Sequence, residues 1–194
     1  MTRKNVAIWA MTVLLASTSR GALVEWSTGE GGNGHLYEAV VVSSPISWTV
    51  ARDAAFSKGG YLVTITSPGE NAFVFDLIDD DKYWMNTNGP WLGGYQVPGS
   101  SEPDGGWRWV VDDEDEAVIY TNWRPGEPSN SNFGENSLHF CDAPGTHARS
   151  PYWNDISADG FPGSIRSYVV EYIPEPATLL LLGLGGLVLR RRGR

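Results

Sequence analysis

The periodicity of this chain changes near residue 80, and that change restricts its fold more than any other feature. Before residue 80, two segments, 48–57 and 67–78, carry apolar side chains at the spacing of amphipathic helices. After it, short apolar runs alternate with long polar loops, which is typical of strands. A chain with early helices and mostly late strands predicts an α+β fold, in which two helices pack on short antiparallel strands beside a long loop-rich region.

The first predicted helix runs from Trp48 to about residue 57. Ser47 is expected to cap it, because a serine side chain accepts a hydrogen bond from the first helical N–H groups. Trp48, Ala51 and Ala55 have the spacing of one helix face, and Gly59 with the glycine after it stops the helix.

The second predicted helix has a stronger start signal. Ser67 is expected to cap it, Pro68 suits the first helical position, and Glu70 is expected to reach back and complete a capping box. The helix should end near Ile78, because three aspartates follow at 79–81 and negative charge is unfavourable at the carboxyl end of a helix.

Apolar alternation and turn residues predict the strands. They are expected at 35–42, 61–65, 91–94, 107–110, 118–120, 137–140 and 167–172. The acidic run 112–116 is interpreted as a solvated turn between two strands, and 122–156 as loop-rich apart from the strand at 137–140. The glycines at 93–94 indicate a close approach of two backbones.

The first 21 residues have the features of a signal peptide. Arg3 and Lys4 precede a mostly apolar run at 6–16, and small residues follow up to Gly21. The alternative is a membrane anchor, but the run is shorter than the roughly 20 residues that a spanning helix needs. The sequence therefore predicts export with cleavage after this segment.

The last 21 residues, 174–194, combine three features in order. Pro174, Glu175 and Pro176 precede an apolar run at 177–189, and arginines end the chain. The run is too short for a full bilayer crossing and indicates a temporary membrane stop with a basic tail. This tail resembles the PEP-CTERM sorting signal, which implies removal by an exosortase-type transpeptidase. An ordinary tail anchor is the alternative.

The stretch between these segments is strongly acidic. Residues 22–173 hold seven Lys and Arg against 22 Asp and Glu, a formal charge of −15. Such a field repels nucleic acid and anionic membranes, and it suits cations and neutral or cationic partners. No nucleic-acid partner is therefore expected.

The core of this stretch must be held by packing alone. Its single cysteine, Cys141, cannot form a disulfide within the chain and is interpreted as a buried small hydrophobe. An intermolecular disulfide is the alternative. Eight tryptophans supply large apolar surfaces, each able to bury on the order of 200 Å².

Across residues 33–173 the sequence resembles a C-type lectin-like domain, through short pieces that occur in the family's order. None of these pieces is specific by itself, whereas the ordered set is. The pieces lie at Trp48, 51–52, 60–65, 70–71, 91–93, Trp107, 122–123, 126–128, 134–136, 153–155 and 170–171.

The resemblance implies a Ca²⁺ site that is shared with a sugar. It places metal ligands at Glu127, Ser129, Glu135, Asn154 and Asp155, which we call the oxygen cage. The resemblance implies that the first four also bind the sugar. Each glutamate carboxylate has a second oxygen for a sugar hydroxyl, and Asn154 would use its amide oxygen for the metal and its NH2 group for the sugar. The Glu-Pro pair at 127–128 is associated in the family with mannose-type or glucose-type ligands, and the proline with a cis peptide bond.

Two departures from the family pattern concern this site. Ser129 stands where the family has asparagine, so the ligand there is weaker, and Asn130 or a water molecule is the substitute. The family's disulfides are missing, and Ser137 stands at a common cysteine position. The segment 142–151, with His147 and Arg149, is interpreted as an enlarged loop beside the site.

Three functions compete. The first is calcium-dependent binding of a glycan or exopolysaccharide at the cell surface or in the matrix. The second is a protein-binding or structural module that keeps the fold without sugar recognition, which Ser129 favours. The third is a carbohydrate-active enzyme, which the paired carboxylates Glu127 and Glu135 suggest. It is disfavoured because the three histidines, His35, His139 and His147, form no catalytic signature, and His139 is expected to be a packed, hydrogen-bonded residue.

Overall fold

The structure, a computed structural model, describes residues 21–111, 115–131, 134–160 and 163–174. The predicted signal peptide up to residue 20, the apolar tail segment and most of the acidic turn lie outside these residues. No helix within the described ranges is long and apolar enough to cross a membrane.

Both predicted helices are present, as α1 (Trp48–Ser57) and α2 (Pro68–Ile78). The hydroxyl of Ser47 accepts the Val50 N–H at 3.3 Å, and that of Ser67 accepts the Glu70 N–H at 3.2 Å. Side-chain oxygens thus satisfy helix N–H groups that lack a backbone partner, and both predicted caps are confirmed. The predicted end of α2 at Ile78 is confirmed as well.

The capping box predicted at Glu70 is wrong. Its carboxylate accepts hydrogen bonds from the backbone and hydroxyl of Thr66, both at 2.7 Å, and from the Tyr37 hydroxyl at 2.7 Å. Glu70 is only 1% exposed. Tyr37, distant in sequence, and Thr66, just before the cap, hold the carboxylate in place of the Ser67 N–H, so the side chain turns inward.

The strands of the described residues form one mixed sheet. They are β1 (Val24–Glu25), β2 (Leu36–Val41), β3 (Tyr61–Leu62), β4 (Asn88–Gln96), β5 (Trp107–Trp109), β6 (Glu116–Ala117), β7 (Ser137–Asp142), β8 (Arg149–Ile156) and β9 (Ser167–Tyr172). The main order is β1-β2-β9-β4-β5-β6, with β3 on β9, β7 on β4 and β8 on β7. Two helices with this sheet confirm the α+β prediction.

Two strand predictions need correction. The strand expected at 118–120 lies instead at β6. Trp109 and Arg108 of β5 pair with Glu116 and Ala117, and the pairing of the two strands ends there. Ile119 is accordingly 92% exposed. The end of the region expected to be loop-rich contains β8, a strand of eight residues. Its sequence lacks clear alternation, and pairing with β7 holds it extended.

The core confirms the packing predicted from the aromatic residues. Trp107 and Trp109 are both buried while Arg108 between them is exposed. Cys141 is 4% exposed and burial raises the pKa of its thiol to about 12, as expected of a small buried hydrophobe. Gly93 donates its N–H to the Val63 carbonyl at 2.9 Å. This bond confirms the close approach of two backbones that the glycines at 93–94 indicated.

Candidate functional site

The loop that carries the first half of the oxygen cage is fastened to the middle of β8. Trp153 donates its backbone N–H to the Asn122 carbonyl, and Arg124 donates to the Trp153 carbonyl, both at 2.9 Å. Trp123 packs edge-on against Trp107 and Trp153, with ring centroids 5.1 and 6.2 Å away. These contacts bring the loop to the strand end where Asn154 lies.

Asp155 holds the tip of this loop. Its carboxylate accepts the backbone N–H groups of Ser129 at 3.0 Å and of Asn130 at 2.8 Å. Just before them, the Glu127–Pro128 peptide bond is cis. Ser129 and Asp155, two predicted ligands distant in sequence, therefore contact each other.

The carboxyl of Asp155 is 1% exposed. Burial raises its pKa to about 6, backbone N–H groups oppose this shift, and the negative charge of Glu135 adds to it. Asn130 links the two residues, because it donates its N–H to Asp155 and accepts the N–H of Glu135 through its amide oxygen. A nearby cation would relieve the cost of burying both charges.

Glu135 is fixed by the same loop. It is 5% exposed, and its Oε2 accepts the backbone N–H of Ser131 at 2.8 Å and the Ser131 hydroxyl at 3.1 Å. The amide oxygen of Asn130 accepts the N–H groups of Gly134 at 2.7 Å and of Glu135 at 3.2 Å. The oxygen expected to substitute for the missing family ligand is thus engaged within the loop.

Asn154 is oriented by its neighbours. Its amide nitrogen lies 3.1 Å from His139 Nε2 and donates to the Asp155 carbonyl at 2.7 Å. Because that carbonyl can only accept, the nitrogen must face it and the amide oxygen faces the other way. His139 is fully buried and burial lowers its pKa to about 4, so the ring is neutral. As predicted, His139 is a packed, hydrogen-bonded residue.

Glu127 provides the test of whether the residues fit a cation. Its Oε2 is buried and has no hydrogen-bond partner, a state that is costly for a carboxylate oxygen. With the buried carboxyls of Glu135 and Asp155 and the amide oxygen of Asn154 in the same region, the donor set is the hard oxygen type that Ca²⁺ prefers. Calcium is therefore the cation that these residue types suit.

The carboxylates are not gathered into one tight cluster. Among the described residues, no group of three or more His, Cys, Asp and Glu side chains is arranged to hold a metal ion. The structure joins Ser129 with Asp155 directly and Glu135 with Asp155 through Asn130, and Glu127 lies on the same loop. The complete ligand set stays a prediction.

Sequence reasoning missed the roles of Ser131 and of His139 beside Asn154. The only available signal for the second was strand register, because His139 pairs with Asn154 across β7 and β8.

The prediction that the segment 142–151 forms an enlarged loop beside the site is wrong. Arg149 starts β8 and bonds to Asp79, whereas the cage lies at the other end of that strand.

Comparisons with known proteins show the family of this chain. The family model "Lectin C-type domain" matches residues 44–160, and the model "PEP-CTERM protein-sorting motif" matches residues 173–194. A perlucin-like protein from Mytilus galloprovincialis is 37% identical over 110 residues, which are 57% of this chain and 62% of that protein. This chain thus spans less than two thirds of that relative.

Two solved structures share the fold. The carbohydrate-recognition domain of cow CD23, solved in the presence of GlcNAc2Man3 oligosaccharide, has a TM-score of 0.57, 22% identity, and coverage of 83% of this chain and 100% of its own. A calcium-independent type II antifreeze protein has a TM-score of 0.52, 17% identity, and coverage of 77% and 95%. On the family match and the fold, the chain belongs to the C-type lectin domain family and ends in a PEP-CTERM protein-sorting motif.

Proposed function

We propose that this chain is an exported, calcium-dependent carbohydrate-binding module. The observation that carries the proposal is the partnerless, buried Oε2 of Glu127, on the loop that Asp155 holds in place. A buried carboxylate oxygen without a donor calls for a cation, and the other oxygens of the region are those that calcium takes.

The residues that would hold Ca²⁺ are Glu127, Ser129, Glu135, Asn154 and Asp155. When bound, the ion would supply an open coordination position for two neighbouring hydroxyl groups of a sugar. The carboxylates of Glu127 and Glu135 accept hydrogen bonds from such hydroxyls, and Ser129 can donate or accept. Asp155 orients the loop, and His139 orients Asn154.

The amide of Asn154 limits what this site can offer. Its nitrogen already faces His139 and the Asp155 carbonyl, so contact with a sugar through that nitrogen requires the side chain to share or exchange these partners. The amide oxygen is the atom available for the metal.

We place this module in an exported protein with three parts. These are a signal peptide at 1–21, the lectin domain at 33–173 and a sorting segment at 174–194 that contains Pro174, Glu175 and Pro176. The sorting motif supports export and processing by an exosortase. We infer a transient membrane contact through the tail, a final place at the cell surface or in the matrix, and a glycan or exopolysaccharide partner.

A glycan array with and without EDTA tests the proposal. The protein is expected to give sugar signals that EDTA abolishes and that Glu127→Gln removes, because the change deletes one anionic ligand. Glu30→Gln, at an exposed glutamate outside the site, is the matched control and should leave the signals intact. Sugar signals that survive EDTA and Glu127→Gln alike would contradict calcium dependence.

A second candidate is a structural or protein-binding module with the same fold. It is favoured by the hydrogen bonds that Asp155 and Glu135 accept from the loop and that already order it, and by the similarity to a calcium-independent type II antifreeze protein. Calorimetric titration separates the two. Calcium binding without any array signal supports the structural module, whereas calcium binding with EDTA-sensitive signals supports the lectin.

A further inference from the structure

A cavity of about 350 Å³ lies at the end of β8 that is remote from the oxygen cage. Arg149 and Asn154 are five residues apart on this strand, which at about 3.3 Å per residue separates them by roughly 17 Å. The cavity, which we call the Arg149 pocket, has a size within the range of about 300–1,000 Å³ typical of small-ligand sites. It is lined by Asp79, Asp81, Trp84, Asn86, His147 and Arg149.

The charges of this pocket are held in a fixed arrangement. Arg149 Nε donates to Asp79 Oδ1 at 2.6 Å, and Nη1 pairs with Asp81 Oδ1. The two carboxylates exceed the one guanidinium, so these three residues carry a formal charge of −1. A guanidinium clamped on two sides loses little freedom when it binds a ligand, so its remaining N–H groups are positioned in advance.

The carboxylates keep acceptor capacity for a ligand. The Asp79 side chain is 49% exposed and that of Asp81 is 95% exposed, while Arg149 is 31% exposed. Each carboxylate has about four acceptor positions, and Arg149 uses only part of them. The pocket thus offers acceptors with net negative charge beside donors from a guanidinium, an amide and an imidazole.

Two turns bring further polar side chains to the pocket. Asn86 and His147 line it with φ of 56° and 55°, a left-handed conformation that Asn and His adopt more readily than most non-glycine residues. The turns therefore place an amide and an imidazole beside the ion pairs of Arg149.

We propose that the Arg149 pocket is a second saccharide subsite, independent of metal, that binds an amino-sugar unit. A sugar ammonium complements Asp79 and Asp81, and sugar hydroxyls exchange hydrogen bonds with Arg149, Asn86 and His147. The choice of a saccharide as ligand rests on the proposed function, whereas the preference for an amine follows from the charge of the pocket. Acidic sugar units are excluded by the same charge.

The test is calorimetric titration of the full-length chain in mild detergent, with EDTA and about 0.15 M salt to screen distant charges. The probes are three tetrasaccharides: fully deacetylated chitotetraose, N-acetylchitotetraose and tetragalacturonate. The deacetylated probe is expected to bind most tightly, the acetylated one at least fivefold more weakly, and the galacturonate not at all.

Two variants assign the binding to the pocket. Asp81→Asn removes one charge at an exposed position and should raise the Kd of the deacetylated probe about tenfold, the loss typical of a charged hydrogen-bond partner. Asn86→Gly suits the left-handed backbone and so preserves the fold, and it should raise the Kd at least threefold. Glu30→Gln, a remote charge change, should leave the Kd unchanged.

Every other pattern overturns the proposal. Absence of binding in EDTA, equal binding of the galacturonate, or a Kd unaffected by both variants leaves Arg149 as a structural ion pair only. The failure of this subsite is distinguishable from failure of the proposed function, because the cage is tested by calcium-dependent signals and Glu127→Gln.

Discussion

The backbone N–H of Asn130 donates a 2.8 Å hydrogen bond to the carboxylate of Asp155, across 25 residues of sequence. This bond joins the loop of the oxygen cage to the end of β8. The same carboxylate is buried, lies near the charge of Glu135 and has a pKa raised to about 6. One residue therefore orders the loop and contributes to its negative charge.

Asp155→Asn is expected to loosen the loop. The amide nitrogen would replace the oxygen that accepts the Ser129 N–H at 3.0 Å and would set two donors against each other. We expect this cost to exceed the relief of removing one buried charge, so unfolding free energy should fall by about 1 kcal/mol. Urea denaturation in EDTA measures the loss, and hydrogen exchange of the Asn130 amide should accelerate. Unchanged exchange at Asn130 would contradict the role given to Asp155. Asp159→Asn, at an exposed aspartate, is the control.

Glu127→Ala is expected to abolish the rise in Tm that millimolar Ca²⁺ gives to the wild-type chain. A ligand that binds only the folded state raises its stability, and this effect vanishes with the site. Melting curves with calcium and with EDTA measure it. Asp159→Ala should retain the full calcium effect, and an equal loss in both variants would place the site elsewhere.

The stability of the domain should fall as pH rises above 6.5. The hydrogen bond from His35 to the buried Glu171, 2.7 Å long, raises the pKa of His35 despite partial burial. Burial also raises the pKa of Glu70 from 4.5, although Tyr37 and Thr66 oppose the shift, so its contribution to stability begins to be lost already above pH 4.5. A raised pKa in the folded state means that protonation favours folding, so stability is lost as pH rises through that pKa.

Urea denaturation between pH 5 and 8, in EDTA, measures this slope. His35→Gln should flatten the part above pH 6.5, because glutamine does not titrate there. His147→Gln, at an exposed histidine distant from Glu171, is the matched control. An identical slope in wild type and His35→Gln would show that the His35–Glu171 contact does not carry the pH dependence.

Gly93→Ala is expected to destabilise the domain by about 1–3 kcal/mol, the usual cost of overpacking. A Cβ at this position would lie closer to the Leu62 carbonyl oxygen than the 3.0 Å that real Cβ atoms keep. Gly29→Ala meets nothing nearer than 3.6 Å and is the control. Thermal melting compares the two, and equal Tm values would contradict the close approach of β4 to β3.

Local signals in the sequence were enough where the partners are local. The caps at Ser47 and Ser67, the end of α2 and the burial of both tryptophans in β5 followed from neighbouring residues. Glu70 was misassigned because one of its partners, Tyr37, is brought close only by the fold. Likewise, the unfavourable negative charge of Asp79 at the end of α2 is compensated by Arg149, 70 residues away in sequence.

The amino-acid order alone determined the class of the fold, both helices and the set of oxygen-bearing residues considered for calcium, because periodicity, capping and ligand chemistry are properties of short segments. The tertiary structure decided which of those residues contact each other. Asp155 accepts a hydrogen bond from the loop that carries Glu127, the Oε2 atom of Glu127 is buried without a donor, and Arg149 lies in a separate pocket. Burial and strand register depend on the whole chain, and no local pattern records them.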